Sequence, residues 1–172
     1  MKVQKIALLG VLTAIAIVLA IVESFIPSVG IPGVKLGLAN IAILVVLYEI
    51  GIWEAAVVNL IRVIVAALVR GTFLSYGFLM SLTGAFLSLG IMILFYLLIK
   101  KFSIIGVSVI GSIFHVTGQI LIAMIYLGTG YVVFYLPFIA IAAIVTGVII
   151  GVIARAIIST GVIKKQREKY NF

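Results

Sequence analysis

The sequence predicts an all-α integral membrane protein: a single domain, residues 1–172, of six transmembrane helices. Hydrophobic residues make up 66% of the chain and charged residues 9%, whereas a soluble globular domain carries about 25% charged residues. The apolar residues form long runs, and a transmembrane helix needs roughly 20 of them. These runs do not alternate in polarity, which argues against a barrel of strands. We predict spans at residues 6–25, 36–48, 53–69, 74–99, 104–127 and 131–158.

Breaks between the apolar runs define the first three spans. The first run stops at Pro27, in the turn-rich stretch IPSVGIPGVK. We expect this span to be retained, because it lacks the clear small-x-small cleavage site of a signal peptide. The second span reaches Tyr48, and a short turn marked by Glu49, Gly51 and Glu54 precedes the third.

The last three spans are bounded in the same way. The stretch RGT at 70–72 precedes span four, which ends at Lys100 and Lys101. The stretch GTG at 128–130 turns the chain after span five. The sixth run is longer than a bilayer requires, so we expect this helix to tilt or to emerge from the membrane.

The basic residues predict the orientation in the cell membrane. With six spans, both termini share one side with the turns after spans two and four, and the opposite side holds only Lys35 and Arg70. Cytoplasmic loops carry an excess of lysine and arginine, so we predict that both termini are cytoplasmic. The basic residues on that side are Lys2, Lys5, Lys100, Lys101, Lys164, Lys165, Arg167 and Lys169.

Five polar side chains within or beside the spans are candidate ligand contacts. Lys35 is expected at the outer edge of span two, with Asn40 deeper in the same span. Arg62 falls near the middle of span three, and His115 near the middle of span five, with Gln119 one turn further out on the same face. Ionisable groups are rare inside membranes and usually face a cavity or one another.

Structural alternatives remain open for these residues. Lys35 could snorkel to the headgroups, and His115 with Gln119 could form a hydrogen-bonded pair between helices. Arg62 stays charged at any accessible pH, and its partner is a set of backbone carbonyls, Glu23, or an anionic ligand. An outward-opening cluster of this kind would suit a negatively charged or strongly polar ligand.

Missing residue types argue against an enzyme. The chain has no aspartate and no cysteine, and its four glutamates are scattered. Diphosphate chemistry with Mg²⁺ normally needs clustered carboxylates, and no G-x-x-x-x-G-K-[ST] phosphate loop is present. A lone histidine without a carboxylate or a nucleophile does not make an active site. We therefore predict a protein with no catalytic residues, no metal and no cofactor. Most of its net charge of +8 lies at the chain ends and in one short loop, so we do not expect nucleic acid as a partner.

Small residues recur at four-residue spacing in two spans. Such stripes allow helices to approach closely, either within one chain or against a partner. They comprise Gly10 with Ala14 and Ala16 with Ala20 in span one, and Ala143, Gly147 and Gly151 in span six.

Four segments carry a family resemblance over nearly the whole chain. They are PGVKLGLANI at 32–41, IRVIVAALVRG at 61–71, IIGVSVIG at 104–111 followed by His115 and Gln119, and YLPFIA at 135–140. These segments resemble the heptaprenyl diphosphate synthase component I family, also called the Gx transporter family. That family is similar to the substrate-binding S components of energy-coupling factor (ECF) transporters.

The resemblance implies a bundle like that of the S components. Those are six-helix, vitamin-binding membrane proteins without an ATPase, and they associate with a transmembrane coupling subunit and two ATPase subunits. An alanine-x-x-x-alanine stripe on their first helix faces the coupling subunit, and Ala16 and Ala20 fit that stripe here.

The resemblance also implies a role for the first outer loop, which in such proteins closes over the ligand. On this interpretation Pro32 and Gly33 shape the loop at about 27–35, Lys35 lies at its base, and Asn40 points into the cavity beneath it. We therefore expect an S component that captures a small vitamin-like molecule or metabolite precursor at the outer face. Partner subunits would then drive its uptake with ATP.

A second interpretation is a non-catalytic membrane accessory subunit of a prenyl diphosphate synthase or a quinone-related pathway. The basic tail KKQREKY at 164–170 would recruit the soluble enzyme. The two interpretations differ in their partner: an ATPase module in one case, a prenyl synthase in the other.

Overall fold

The computed structural model of the protein describes residues 2–26, 35–99 and 102–170. Every regular element in these ranges is helical, so the predicted all-α class holds for them. A 3₁₀ helix at Gly130–Tyr135 leads directly into the sixth α-helix. The α-helices are α1 (Lys2–Glu23), α2 (Asn40–Glu49), α3 (Ile52–Val69), α4 (Tyr76–Leu98), α5 (Ile104–Leu127), α6 (Leu136–Ser159) and α7 (Val162–Tyr170).

Five of the described segments are long and apolar enough to cross a membrane, which fits a multi-pass membrane protein. They are α1 from Val3, α3, α4, α5, and the continuous helical stretch Gly130–Ser159 that contains α6. The sixth predicted span is not confirmed at full length, because α2 has only ten residues. At 1.5 Å per residue it is about 15 Å long, roughly half the thickness of the hydrocarbon core.

The short helix α2 lies in the centre of the bundle. Its residues from Asn40 to Leu47 are all buried, and α1, α3, α5 and α6 pack around it. A helix that is apolar on every side is typical of this position. Residues 35–39, which precede it, are not helical, so the second apolar run divides into a turn and a short helix.

Both terminal helices contact the same end of the bundle. Lys5 near the start of α1 forms an ion pair with Glu54 at the start of α3. Arg167 on α7 donates a hydrogen bond from Nη1 to the carbonyl oxygen of Glu49, at 2.8 Å. Because Glu49 and Glu54 flank the α2–α3 turn, the first and last described helices meet at that turn. The side of the membrane that this end faces stays a prediction.

Helices α4, α5 and α6 pack against one another through glycines. A Cβ atom added to Gly118 of α5 would lie 2.9 Å from the Gly84 Cα atom of α4. A Cβ at Gly147 of α6 would lie 2.7 Å from the Val109 Cα atom of α5, and one at Gly151 would lie equally close to the Ile105 Cα atom. The small-residue stripe of α6 therefore serves packing within the chain.

The two small-residue pairs of α1 lie on different faces. Ala16 is 0% exposed and Ala20 is buried as well, whereas Gly10 and Ala14 are exposed. The predicted docking role of Ala16 and Ala20 is not supported in this conformation, because a buried methyl group cannot contact another subunit. Their small size instead lets α1 approach α2 and α3.

Several predicted boundaries change. Span one begins at the start of the described chain, and span four begins at Tyr76. The sixth run, predicted at 131–158, consists of the 3₁₀ helix and α6, and the separate helix α7 follows it. The chain turns between α6 and α7 at Gly161, whose φ of +64° favours glycine. The loop residues 27–34, with Pro32 and Gly33, lie outside the described residues, as do Lys100 and Lys101.

Candidate functional site

Arg62 lies inside the bundle with two asparagine side chains as its partners. The side chain is 4% exposed. Its Nε donates to Asn59 Oδ1 at 3.0 Å, and its Nη2 donates to Asn40 Oδ1 at 3.1 Å. Helix α4 orients both amides: Asn59 Nδ2 donates to the Ala85 carbonyl at 3.0 Å, and Asn40 Nδ2 donates to Ser88 Oγ at 3.3 Å.

Arg62 has no described partner of opposite sign within ion-pair distance, although Glu23 lines the same cavity. The partners predicted within the protein were backbone carbonyls or Glu23, whereas the contacts formed are with neutral amide oxygens. Within the described ranges, no carboxylate lies within 4 Å of Arg62, and the recorded ion pair is that of Lys5 with Glu54. The guanidinium is thus hydrogen-bonded but not neutralised.

Glu23 holds the turn that leads into α2. The carboxylate is buried and accepts hydrogen bonds from the backbone amides of Gly37 and Leu38, the latter at 3.2 Å. Gly37 has a φ of +87°, and a Cβ there would lie 2.9 Å from Asn40 Nδ2. Both observations explain why glycine occupies this position.

Gln119 is bonded to the main chain of Lys35 rather than to His115. The Lys35 amide donates to Gln119 Oε1 at 2.7 Å, and Gln119 Nε2 donates to the Lys35 carbonyl at 2.9 Å. One side-chain amide thus satisfies both backbone groups of a residue 84 positions away. Gln119, predicted as a ligand contact, fixes the non-helical segment before α2 to α5.

The side chain of Lys35 points into the bundle. Its Nζ donates to Ser81 Oγ on α4 at 3.2 Å, so the alternative of a lysine that snorkels outward is not the conformation observed. Burial, and next the nearby Arg70 cation, lower the pKa of Lys35 to about 8, although Glu23 acts in the opposite direction. The ammonium is therefore mostly protonated at pH 7.

His115 is buried between α4 and the turn at Gly37. A Cβ at Gly37 would lie 3.3 Å from His115 Cδ2, and one at Gly84 would lie 3.2 Å from His115 Nδ1. Small neighbours are therefore what make room for the ring. Within the described part of the chain, His115 Nδ1 has no hydrogen-bond partner. Buried polar atoms normally have one, so this nitrogen has unused bonding capacity.

A small cavity brings the charged residues together. Its volume is about 20 Å³, enough for about one water molecule. The described residues that line it are Ala20, Glu23, Lys35, Arg62, Val63, Ala66, Arg70, Ser81 and His115. Three of the five predicted ligand contacts, Lys35, Arg62 and His115, therefore share one cavity, while Asn40 and Gln119 hold its walls.

The site also contains three polar residues that were not among the predicted ligand contacts: Asn59, Ser81 and Ser88. Asn59 precedes Arg62 by three residues, a spacing that places two side chains on one helix face. The sequence therefore contained a signal that Asn59 contacts Arg62. Ser81 and Ser88 are seven residues apart and share a face of α4, but serine is too common in membrane helices for that spacing to indicate a site.

A comparison with protein families matches residues 12–157 to the family described as heptaprenyl diphosphate synthase component I. The chain belongs to this family. The match runs from α1 into the last turns of α6, and it includes every predicted ligand contact. The predicted resemblance to this family is therefore confirmed. Comparisons with curated proteins and with solved structures found no match.

The family description names one component of a synthase. Its wording implies association with other subunits, and it does not identify them. Together with the apolar helices, the match describes a membrane protein of this family.

Proposed function

We propose that this family member is a substrate-binding membrane component that captures a small anionic molecule in the cavity beside Arg62. Release for uptake would be driven by a transmembrane coupling subunit and ATPase subunits, as in the ECF transporters that the sequence resembles. The main support is the buried guanidinium of Arg62, whose charge meets only neutral amide oxygens. A buried charge without a direct ion-pair partner is costly, and an anionic ligand would reduce that cost.

The surroundings of Arg62 support the same proposal. Lys35 and Arg70 line the cavity with it, and Glu23 supplies the one carboxylate there. That carboxylate already accepts two backbone hydrogen bonds. Ionisable groups gathered at one place in a membrane protein usually mark a ligand or ion pathway. The cavity lies at the end of the bundle opposite the α2–α3 turn, where a ligand would enter from the outer face if the termini are cytoplasmic.

We place the docking surface for the coupling subunit on a groove between α1 and α3. This apolar groove has a volume of about 430 Å³. A Cβ at Gly10 would meet no atom within 4 Å, so packing within the chain does not require glycine at this position. An exposed glycine with Ala14 one turn later permits close approach of a partner's transmembrane helix. The groove is lined by Ile6, Leu9, Gly10, Thr13, Ala14, Ile17, Val57, Val58 and Ile61.

This function requires no catalysis by the chain itself. Of the four glutamates, Glu23 lies at the cavity, Glu49 and Glu54 flank the turn at the opposite end, and Glu168 lies on α7. Carboxylates so dispersed cannot share one Mg²⁺ ion. We expect the purified protein neither to elongate prenyl diphosphates nor to hydrolyse ATP.

The family description favours a second candidate: an accessory subunit that binds a soluble prenyl diphosphate synthase. Helix α7 would be its contact surface, because Lys164, Lys165 and Lys169 are exposed there. Affinity purification from the native membrane separates the candidates. Recovery of ATPase subunits supports the transporter, and recovery of a prenyl synthase lost on replacing these lysines supports the accessory role.

Native mass spectrometry of the purified protein tests the binding role directly. We expect a retained small anionic molecule in the natural protein, and its loss in Arg62→Gln. The matched control is Arg155→Gln, because Arg155 is exposed near the far end of α6; this variant should keep the molecule. Retention of the molecule by Arg62→Gln would contradict the proposed site.

A further inference from the structure

The charges around the cavity do not balance. Lys35, Arg62 and Arg70 contribute three positive charges, and Glu23 contributes one negative charge. With His115 counted as neutral, as in the formal charge of the chain, the lining carries a net charge of +2. In a protein surrounded by lipid, such an excess is poorly screened.

The remaining residues of the chain cannot supply the missing negative charge. The sequence contains four acidic side chains, and the other three lie on α7 or beside the α2–α3 turn at the opposite end of the bundle. The loop sequence 27–34, PSVGIPGV, contains no acidic residue. A bound anion would therefore balance the charge that the chain itself leaves uncompensated.

The geometry of the cavity indicates how the two negative charges are arranged. All three cations line one space of about 20 Å³, so there is room near them for one compact group only. Lys35 and Arg70 are half-buried, and their long side chains can move outward to admit a group larger than water. Two charges on one tetrahedral group fit this arrangement better than two carboxylates separated by a carbon chain.

Hydrogen-bond capacity around the cavity fits the same kind of group. Arg62 uses Nε and Nη2 for its asparagine partners, and within the described residues Nη1 makes no hydrogen bond. A phosphate group offers three acceptor oxygens, and charge-assisted bonds from guanidinium groups to phosphate are among the strongest in proteins.

We propose that the ligand of this cavity carries a doubly charged phosphate group, bound by Lys35, Arg62 and Arg70, with the rest of the ligand extending away from the cavity. This inference rests on the proposed binding function and specifies its ligand class. Glu23 then has two roles: it fixes the turn before α2, and it limits the charge of the site so that a dianion balances it.

Two small probes of similar shape and different charge test the proposal. Methyl phosphate is mostly doubly charged at pH 7.5, because the second pKa of a phosphate monoester is about 6, whereas methyl sulfate carries one charge at any accessible pH. We expect full-length protein in lipid nanodiscs to bind methyl phosphate at least about tenfold more tightly than methyl sulfate, a difference of about 1.4 kcal/mol. Succinate, whose two charges are separated, should bind as weakly as methyl sulfate.

The pH dependence provides an internal control. Between pH 7.5 and 5.5 methyl phosphate loses most of its second charge, and its affinity should approach that of methyl sulfate. The groups that face the cavity, which are Glu23, Lys35, Arg62, Arg70 and His115, act on both probes. Methyl sulfate therefore reports any titration of the protein. An equal change for both probes would overturn the assignment of a dianion.

Two variants locate the binding. Arg62→Gln and Arg70→Gln each remove one cation, and each should weaken methyl phosphate binding about tenfold, the scale of one charged hydrogen bond. Arg70 is half-buried, and among the described residues its side chain donates only to the Ala66 carbonyl of its own helix, so this variant should fold even if Arg62→Gln does not. Arg155→Gln is again the control with unchanged affinity.

The outcomes separate this inference from the binding function itself. If the purified protein retains a neutral or singly charged molecule that Arg62→Gln loses, and methyl phosphate does not bind, the phosphate assignment is wrong and the binding function stands. If succinate binds as tightly as methyl phosphate, the ligand is a dicarboxylate and the phosphate assignment is again wrong. If the protein neither retains a molecule nor binds any probe, both proposals fail.

Discussion

Two regions of this bundle differ in how closely their helices pack and in how much charge they hold. Between α4, α5 and α6, glycines bring backbones so close that an added Cβ atom would lie 2.7–2.9 Å from main-chain atoms. Between α1, α3 and the turn before α2, charged side chains line a cavity of about 20 Å³. The glycine contacts of the first region leave no room for an added Cβ atom, and the second region carries an excess of positive charge.

This contrast indicates where stability and binding reside. Close packing in a membrane gains dispersion energy and depends on small residues, so the glycine-rich interfaces form a rigid support. Binding sites carry unmatched polar groups at a cost in stability, and rigid neighbours hold those groups in place. Substitutions in the first region should therefore alter folding, and substitutions in the second should mainly alter ligand binding.

The largest effect is expected at Gly147. The change Gly147→Val would force new carbon atoms onto the Val109 backbone of α5, because even a Cβ would lie 2.7 Å from the Val109 Cα atom. Overpacking typically costs about 1–3 kcal/mol, and we expect the upper end of this range or loss of folded protein. Thermal unfolding in detergent measures the effect. Gly90→Val is the matched control, because a Cβ at Gly90 meets nothing within 4 Å; equal melting temperatures would contradict the contrast.

The second-largest effect is expected at Arg62, and it should be a loss of affinity for the ligand. Arg62→Gln should weaken ligand binding by about 1.5–3 kcal/mol, the usual scale for hydrogen bonds to a charged group. The ligand-free protein should lose little stability, because an unpaired cation leaves a costly position. Melting temperatures of both proteins with and without the ligand check this. A variant that melts lower without ligand yet keeps the full ligand shift would rule out the binding role.

Gln119 should show a smaller effect, confined to the segment before α2. Gln119→Leu removes two hydrogen bonds to the Lys35 main chain, each worth about 0.5–1.5 kcal/mol. We expect about tenfold faster hydrogen exchange at the Lys35 amide, with little change in the amides of α6. Gln119→Glu keeps the acceptor for that amide and should give an intermediate rate. Unchanged exchange in Gln119→Leu would show that other contacts hold the segment.

The pH dependence of ligand binding should report the protonation of Lys35. Because burial lowers the pKa of Lys35 to about 8, affinity for an anion should fall as the pH rises through that value. The ligand-free protein should instead gain stability from about pH 8 towards the ordinary value of 10.5, since the unfolded chain binds more protons in that range. Titration calorimetry at several pH values tests the first effect. Lys35→Gln should abolish the dependence, and its persistence would assign it to another group.

The smallest effect is expected at Ser112, in the close-packed region. Among the described residues its hydroxyl has no hydrogen-bond partner, and it lies near Gly147, where an added Cβ would be 3.0 Å from Ser112 Oγ. Ser112→Ala should change stability by less than about 1 kcal/mol, with a gain as the expected sign, because an unsatisfied buried hydroxyl is removed. A clear loss in melting temperature would show that the hydroxyl has a partner.

How well the sequence predicted each helix depended on where the signals for its ends lie. The bounds of α5, residues 104–127, were predicted to the residue. Ser103 caps its start through the Gly106 amide, and Gly128 ends it with a φ of +62°. Both signals lie next to the helix in the sequence. The start of α2 depends instead on Glu23, which is 14 residues from Gly37, so an apolar run alone suggested a longer span.

The same limit applies to the side chains of the candidate site, because partners that are distant in the sequence cannot be predicted from it. Arg62 could be selected from sequence, because a permanent charge in an apolar run has few structural explanations. The role of Gln119 could not, since its partners are backbone atoms of Lys35 and backbone groups are the same at every residue. The two small-residue pairs of α1 are equivalent in sequence, and only the packing of neighbouring helices decided which pair is buried.

The depth of α2 in the bundle has a consequence for biosynthesis. A ten-residue helix is too short to be stable across a bilayer alone, and one of its walls is α6, which is translated only after α3, α4 and α5. The segment at 40–49 therefore emerges long before its surroundings are complete. Its enclosure must wait until α6 has been translated, so quality-control factors of the membrane would meet an unfinished protein in which this segment is still uncovered.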